Sequence, residues 1–167
     1  IDCSTETDFE TRRNKSEPFN YVLGFDEVYI KRNYAHLIGD EKAVHFPPLF
    51  SGAYLNSTML DNMVILSKGC KIFAVKVIFD TKWMAKYLGI EKDDKVIRRY
   101  LALKTRKLVM EPLDGEYKKL INELITADFQ NPVYYAIVEN RVMLLIEKFF
   151  TSIYNRSGKL PAYRIEK

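Results

Sequence analysis

KIFAVKVIFDTKWMAKYL, residues 71–88, contains the change of period on which the fold reading turns. Up to residue 80 it reads as the strongest strand of the chain. Ile72, Ala74 and Lys76 alternate with Phe73, Val75 and Val77, and so continuous an apolar run predicts burial on both faces. At Asp80 the spacing becomes helical. Asp80 or Thr81 can cap a helix that carries Trp83, Met84, Tyr87 and Leu88, and Gly89 can end it. Strand-like texture lies before this point and helical texture after it, which predicts an α+β chain with segregated halves.

Working back, residues 19–80 read as short strands with turn residues between them. FNYVLGFDEVYIKRN (19–33) predicts a strand pair bent at Gly24 or Asp26. NYAHLIGDEKAVHFPP (33–48) predicts strand, Gly39-Asp40 turn and strand, with Pro47-Pro48 stopping the pairing. LFSGAYLNSTML (49–60) and NMVILSKGC (62–70) add two short runs, broken at Ser51-Gly52 and Lys68-Gly69. The sum is a small β-barrel or sandwich. Residues 1–18 are a polar lead-in, with room for a short strand around Phe9.

Working forward, residues 81–157 read as a helical region. Asp93 or Asp94 can cap a second helix bearing Val96, Ile97, Tyr100 and Leu101. KLVMEPLD (107–114) crosses over through Pro112, and Asp114 starts a third helix with Tyr117, Leu120, Ile121, Leu124 and Ile125. NPVYYAIVENRVMLLIEKFFTSIYNR (131–156) is the longest, with Asn131 as N-cap, Pro132 at the first position, and Gly158 and Pro161 beyond its end. Its broad apolar arc runs through Tyr135, Val138, Val142, Met143, Leu145, Ile146, Phe149, Phe150, Ile153 and Tyr154. Glu139, Asn140, Lys148 and Thr151 lie opposite, where Ile137 and Leu144 form a second, smaller apolar line. A single-sided helix needs an apolar stripe of roughly 100°, and this one is wider. It can meet its own core along one edge and a second subunit along the other, which nominates Ile137, Leu144, Leu145, Phe149 and Ile153 for a homodimer seam. Deep burial in its own domain is the alternative.

Composition narrows the function classes. The formal charge is +4, and the basic residues are scattered among acids, so no basic patch for nucleic acid stands out. The two cysteines, Cys3 and Cys70, cannot make a disulfide framework, and no apolar run is long enough to span a membrane. A soluble, cytoplasmic protein is expected. Ile1 is not a start methionine, so the chain is expected to be part of a longer protein. His36 and His45 are the only histidines, too few for a cupin-type metal site, and no nucleophile elbow, phosphate loop or dinucleotide fingerprint occurs. The acidic pairs Asp93-Asp94 and Asp26-Glu27 read as caps and turns. No catalytic residue, metal ligand or cofactor is expected. Tyr21, Phe25, Tyr29, Tyr34, Phe46, Phe50, Tyr54 and Phe73 either pack the β half or line one ligand cavity there.

The quoted stretch also carries a likeness. Residues 71–88 resemble the end of the sensor barrel in bacterial AraC/XylS-family transcriptional regulators, where an apolar strand runs into a helix opening on a Phe-Ser/Asp-x-x-Trp-Leu motif. Phe79, Asp80, Trp83 and Met84 stand at those positions, Met84 in place of the commoner leucine. Tyr100-Leu101, EPLDGEY (111–117) followed by Leu120-Ile121, and NRVMLLIEKFF (140–150) are similar to a Bacteroidetes-type branch of that family, so the likeness covers roughly residues 20–167. It implies a cupin-like barrel over 19–80 that senses a small-molecule effector. It further implies a dimerising helical region over 81–157 ending in an antiparallel helix pair. Residues 158–167 would begin the linker to a helix-turn-helix half, absent from this chain, through which DNA is bound. It implies no enzyme activity and no ligand-contact positions. The competing functional expectation is a cupin-like, metal-dependent isomerase or oxygenase. A third is an interaction module whose barrel is fully packed.

Overall fold

The structure, a computed structural model of the chain, describes residues 2–4, 9–13, 20–29, 34–38, 44–45, 49–58, 62–66, 68–104 and 110–157. Eight strands come first: β1 (Asp2–Ser4), β2 (Phe9–Arg13), β3 (Asn20–Tyr29), β4 (Tyr34–Ile38), β5 (Val44–His45), β6 (Leu49–Ser57), β7 (Asn62–Leu66) and β8 (Lys71–Asp80). Then come α1 (Thr81–Leu88), α2 (Lys95–Lys104), the short β9 (Glu111–Pro112), α3 (Gly115–Ile125) and α4 (Tyr134–Ser157). The strands form two open antiparallel sheets, ordered β1-β8-β3-β6-β9 and β2-β7-β4-β5. Through β8 the chain crosses between the sheets at almost every link, and no link exceeds six residues.

Two expected breaks lie inside strands instead. β3 is one continuous strand, paired with β6 from Tyr21↔Ser57 to Tyr29↔Leu49 and with β8 from Asn20↔Asp80 to Tyr29↔Lys71. Gly24 therefore makes no turn. Its hydrogen is needed because a Cβ there would lie 2.6 Å from Tyr54 Cζ and 2.9 Å from Lys76 Nζ. Gly52 likewise sits within β6, where a Cβ would come 3.0 Å from Met110 Cε as β9 pairs alongside. The Gly39-Asp40 and Pro47-Pro48 turns lie outside the described residues.

Paired residues share a sheet face, and faces alternate along each strand. One face of the larger sheet offers Tyr21, Leu23, Phe25, Ala53, Leu55 and Phe79 to the helices, where they join Met84, Ile97, Tyr100, Tyr117, Leu120, Leu145, Ile146, Phe149, Phe150 and Ile153 in one core. Phe79 touches Tyr21, Trp83 and Phe150, with ring centroids 6.1, 5.4 and 6.3 Å away. β8 is buried on both faces only in part: Ala74 on one face and Phe79 on the other are buried, but Ile78 is 70% exposed.

The helix boundaries follow local chemistry. The Asp80 carboxylate accepts the Trp83 N–H at 2.7 Å, and Gly89 closes α1 at φ +64°, donating to the Met84 carbonyl. Asp94 accepts from Val96 and Ile97, and Asp114 from Glu116 and Tyr117. Asn131 folds a turn first: its side chain accepts from Val133 N–H, and α4 runs from Tyr134. Asp114 and Glu116 meet Lys148 while Glu123 meets Arg141, so α3 and α4 run antiparallel. The segregation of strands from helices has one interruption. β9 returns from the helical half to pair Ala53 with Glu111 and Gly52 with Pro112, and Pro112 is tolerated because it sits at a sheet edge.

Candidate functional site

The face of the larger sheet turned away from the helical core carries a polar network built by strand register. Gly24 on the central β3 lies opposite Tyr54 on one side and Lys76 on the other. Two residues along, Asp26 occupies the same face. The Tyr54 hydroxyl donates to Asp26 Oδ2 at 2.8 Å, and the Lys76 ammonium donates to Asp26 Oδ1 and to the Tyr54 oxygen. Lys76 Nζ also stands 4.6 Å from the centroid of the Tyr54 ring. Asp26 and Tyr54 are each only 6% exposed, while the Lys76 side chain keeps 30% of its surface. A buried carboxylate needs such partners, since leaving one unpaired costs several kcal/mol.

Asn56 lies on the same face, two residues beyond Tyr54 on β6 and about 7 Å away along the strand. It is 2% exposed, and its side-chain oxygen has no hydrogen-bond partner. An acceptor buried without a donor costs roughly 1–3 kcal/mol. A ligand hydroxyl or N–H group can satisfy it.

A second polar cluster lies between β9, α3 and α4. Glu111 is 3% exposed; its Oε2 accepts the Ser152 hydroxyl at 2.6 Å and meets Arg156 Nη2 at 2.9 Å. Lys148, Ser152 and Arg156, spaced by four, put these contacts on one helix face. Lys148 also lies 5.0 Å from the centroid of the Tyr117 ring. The Tyr117 side chain is 3% exposed and its hydroxyl has no partner. Burial, and then the negative charge of Glu111, push the Tyr117 hydroxyl well above the ordinary tyrosine range. A cleft of about 450 Å³ opens over this cluster.

The nominated seam residues do not stay together. Leu145 and Phe149 are 0% exposed and Ile153 2%. All three lie in the protomer's own core and have no surface to offer a partner, because this edge of α4 is covered by the sheet and by α2 (Phe149 meets Tyr100 edge-on at 5.8 Å). Ile137 is half-buried and Leu144 is 38% exposed. His36 and His45 lie on adjoining strands, with His36 paired to Val44 and His45 to Ala35, and their side chains are outside the described residues. Asp26, read as a turn residue, is the buried centre of a strand network. Asp94 is a cap, as expected. Tyr54 is among the aromatics that sequence reasoning offers for packing or for a ligand cavity, whereas it passes over Asn56, Lys76, Glu111 and Tyr117 as site residues. The available signal was non-aliphatic residues two apart within apolar strands, Gly24/Asp26 and Tyr54/Asn56.

Among the described residues no three or more His, Cys, Asp or Glu side chains are gathered as a metal site, and no helix is long and apolar enough to cross a membrane. No protein-family profile, curated protein or solved structure matches this chain.

Proposed function

We propose that the chain is the effector-sensing and dimerising part of an AraC/XylS-type transcriptional regulator, with DNA binding assigned to a helix-turn-helix region C-terminal to it. The observation that carries this reading is the buried, unpartnered Asn56 oxygen beside the Asp26–Tyr54–Lys76 network, on the sheet face away from the helices. The strand order supports it: with β9 set aside at the edge, the orders β1-β8-β3-β6 and β2-β7-β4-β5 are those expected of a double-sheet jelly roll of the kind cupins use. In this reading the second sheet, tied by links spanning at most about 20 Å, roofs the polar face. The network opens toward solvent along β8, where Lys76 and Ile78 are exposed.

The effector is a small molecule with hydroxyl or amine donors for Asn56. Lys76 is four residues before Asp80, so a ligand that moves Lys76 acts on the strand that caps α1. From there Phe79 transmits packing to Trp83 and to Phe150 on α4. Binding would bias the helical arrangement only by as much as the ligand prefers one arrangement over the other. Dimerisation rests on Ile137 and Leu144, the two nominated residues that keep surface.

Thermal-shift screening of small polyols and amines tests the sensing half. A hit that stabilises the protein and is lost in Asn56→Leu and Lys76→Met supports it, whereas binding unchanged in both variants refutes the assignment. Sedimentation tests the other half: a strict monomer at high concentration, with or without the hit, refutes dimerisation. One stoichiometric transition metal in the purified protein would replace the sensor by the metal-dependent enzyme.

A further inference from the structure

We propose that the cleft between α3 and α4 binds a small organic cation, an ammonium or guanidinium group on a short apolar stem, with Glu111 as its counter-ion. The inference rests on this cleft alone and stands apart from the sensing reading. Three observations lead to it.

The first is the charge of the lining. Glu111, Asp114, Glu116 and Glu147 face the cleft against Lys148 and Arg156, which is four carboxylates to two cations. Lys148 is already shared between Asp114, at 3.1 Å, and Glu116. The field therefore favours an incoming cation and repels an anion. The second is how Glu111 is satisfied. Its partner Arg156 comes from the last turn of α4 with a side chain 49% exposed, while the Glu111 side chain is 4% exposed. An arginine held this loosely over a buried carboxylate is an internal stand-in that a ligand cation can replace. The replacement must itself be charged, since a neutral group would leave a buried carboxylate unpaired. The third is Tyr117, a residue of the cleft wall whose hydroxyl is buried and unpartnered. That hydroxyl can accept an N–H from a bound cation. An ion pair that only fastened α4 to β9 would have no use for it. Leu120 and Pro112 line the same cleft and supply contact for the stem.

The exchange would be Arg156 out and ligand nitrogen in, with the Ser152 hydroxyl still donating to Glu111. Butylguanidinium and butylammonium are suitable probes, with 1-butanol and butyrate as the uncharged and anionic controls, titrated calorimetrically into the whole chain. Both cations should bind and both controls should fail. Tyr117→Phe, which keeps the Glu111–Arg156 pair, should weaken cation binding roughly tenfold, the loss expected for one hydrogen bond. Arg156→Ala should tighten it by removing the internal competitor. If Arg156→Ala is unfolded on its own, millimolar butylguanidinium should restore its folding. Cation binding that is absent, equal in wild type and Tyr117→Phe, or neither tightened nor rescuing in Arg156→Ala overturns the proposal.

Discussion

Replacing Gly24 by alanine tests the strand reading of β3 and the polar network together. Within an ordinary strand the change should stabilise by about 0.5–1 kcal/mol, because alanine loses less backbone freedom on folding. Here the new methyl would sit 2.6 Å from Tyr54 Cζ and 3.0 Å from Cε1, where van der Waals contact needs roughly 3.5 Å or more. The ring must move by close to an ångström. Tyr54 is buried and its hydroxyl holds Asp26 at 2.8 Å, so a shift either crowds the core, at about 1–3 kcal/mol, or withdraws a donor from a buried carboxylate, also at about 1–3 kcal/mol. Subtracting the entropic gain leaves a net loss of up to about 2.5 kcal/mol. Urea unfolding reads this as a lower midpoint at unchanged slope. The decisive comparison is the Tyr54→Ala background, where the ring is gone, only the flexible tip of Lys76 has to give way, and Gly24→Ala should turn neutral or stabilising. A stabilising Gly24→Ala in the otherwise native chain refutes the geometry. An equal loss with and without the Tyr54 ring refutes the assigned cause.

Four other perturbations follow from the helical half. Asp114→Ala removes the carboxylate that accepts from Glu116 and Tyr117, and should cost about 1 kcal/mol in urea midpoint. The Tyr117 N–H and then Lys148 hold the Asp114 carboxyl below the usual range, so its contribution is present above about pH 4 and fades as pH falls through the depressed value; a loss of stability in Asp114→Ala that is the same at pH 2 and pH 7 would contradict this. The Tyr100, Tyr117 and Tyr154 hydroxyls are raised, chiefly by burial. The stability tied to their protons is complete below about pH 10 and is lost above it, because only the unfolded chain can then ionise. The unfolding midpoint should drop between pH 9 and 11, and less steeply in Tyr117→Phe; a flat profile contradicts the assignment. Phe149→Ala should cost about 3–5 kcal/mol, as a core truncation does, while Leu144→Glu should leave the fold intact and, in sedimentation, break a dimer whose seam includes it.

The helices were legible in the sequence because their signals are local. Asp80, Asp94 and Asp114 each bond to amides two or three residues away, and Gly89 adopts its left-handed turn with nothing within 4 Å of where a Cβ would be. Such features can be read from a few neighbouring letters. Gly24 and Gly52 resisted the same reading. A glycine that punctuates a turn and one that admits a neighbour's side chain look alike in one dimension, and what distinguishes them lies on other strands: Tyr54 is 30 positions from Gly24, and Met110 is 58 from Gly52. β9 was hidden for the same reason, since two residues beside a proline have no period and gain their identity only from pairing with β6.

Both polar clusters extend that argument from fold to site. Asp26 reads as a turn residue only while β3 is thought to bend there. Once the strand is continuous, register with β6 and β8 obliges Asp26, Tyr54 and Lys76 to share a face, and the carboxylate acquires its partners without any motif. Glu111 is placed likewise, by a two-residue pairing to β6 on one side and a four-residue repeat along α4 on the other. In each cluster the buried carboxylate has a cationic partner, Lys76 for Asp26 and Arg156 for Glu111, and one neutral group is left over: the Asn56 oxygen in the first, the Tyr117 hydroxyl in the second. A packed core that bound nothing would gain about 1–3 kcal/mol by giving up each of these groups for an apolar side chain of similar shape. Asn56→Leu and Tyr117→Phe are therefore expected to raise stability while lowering ligand affinity, opposite signs from a single substitution. A group retained for packing alone would show no such opposition.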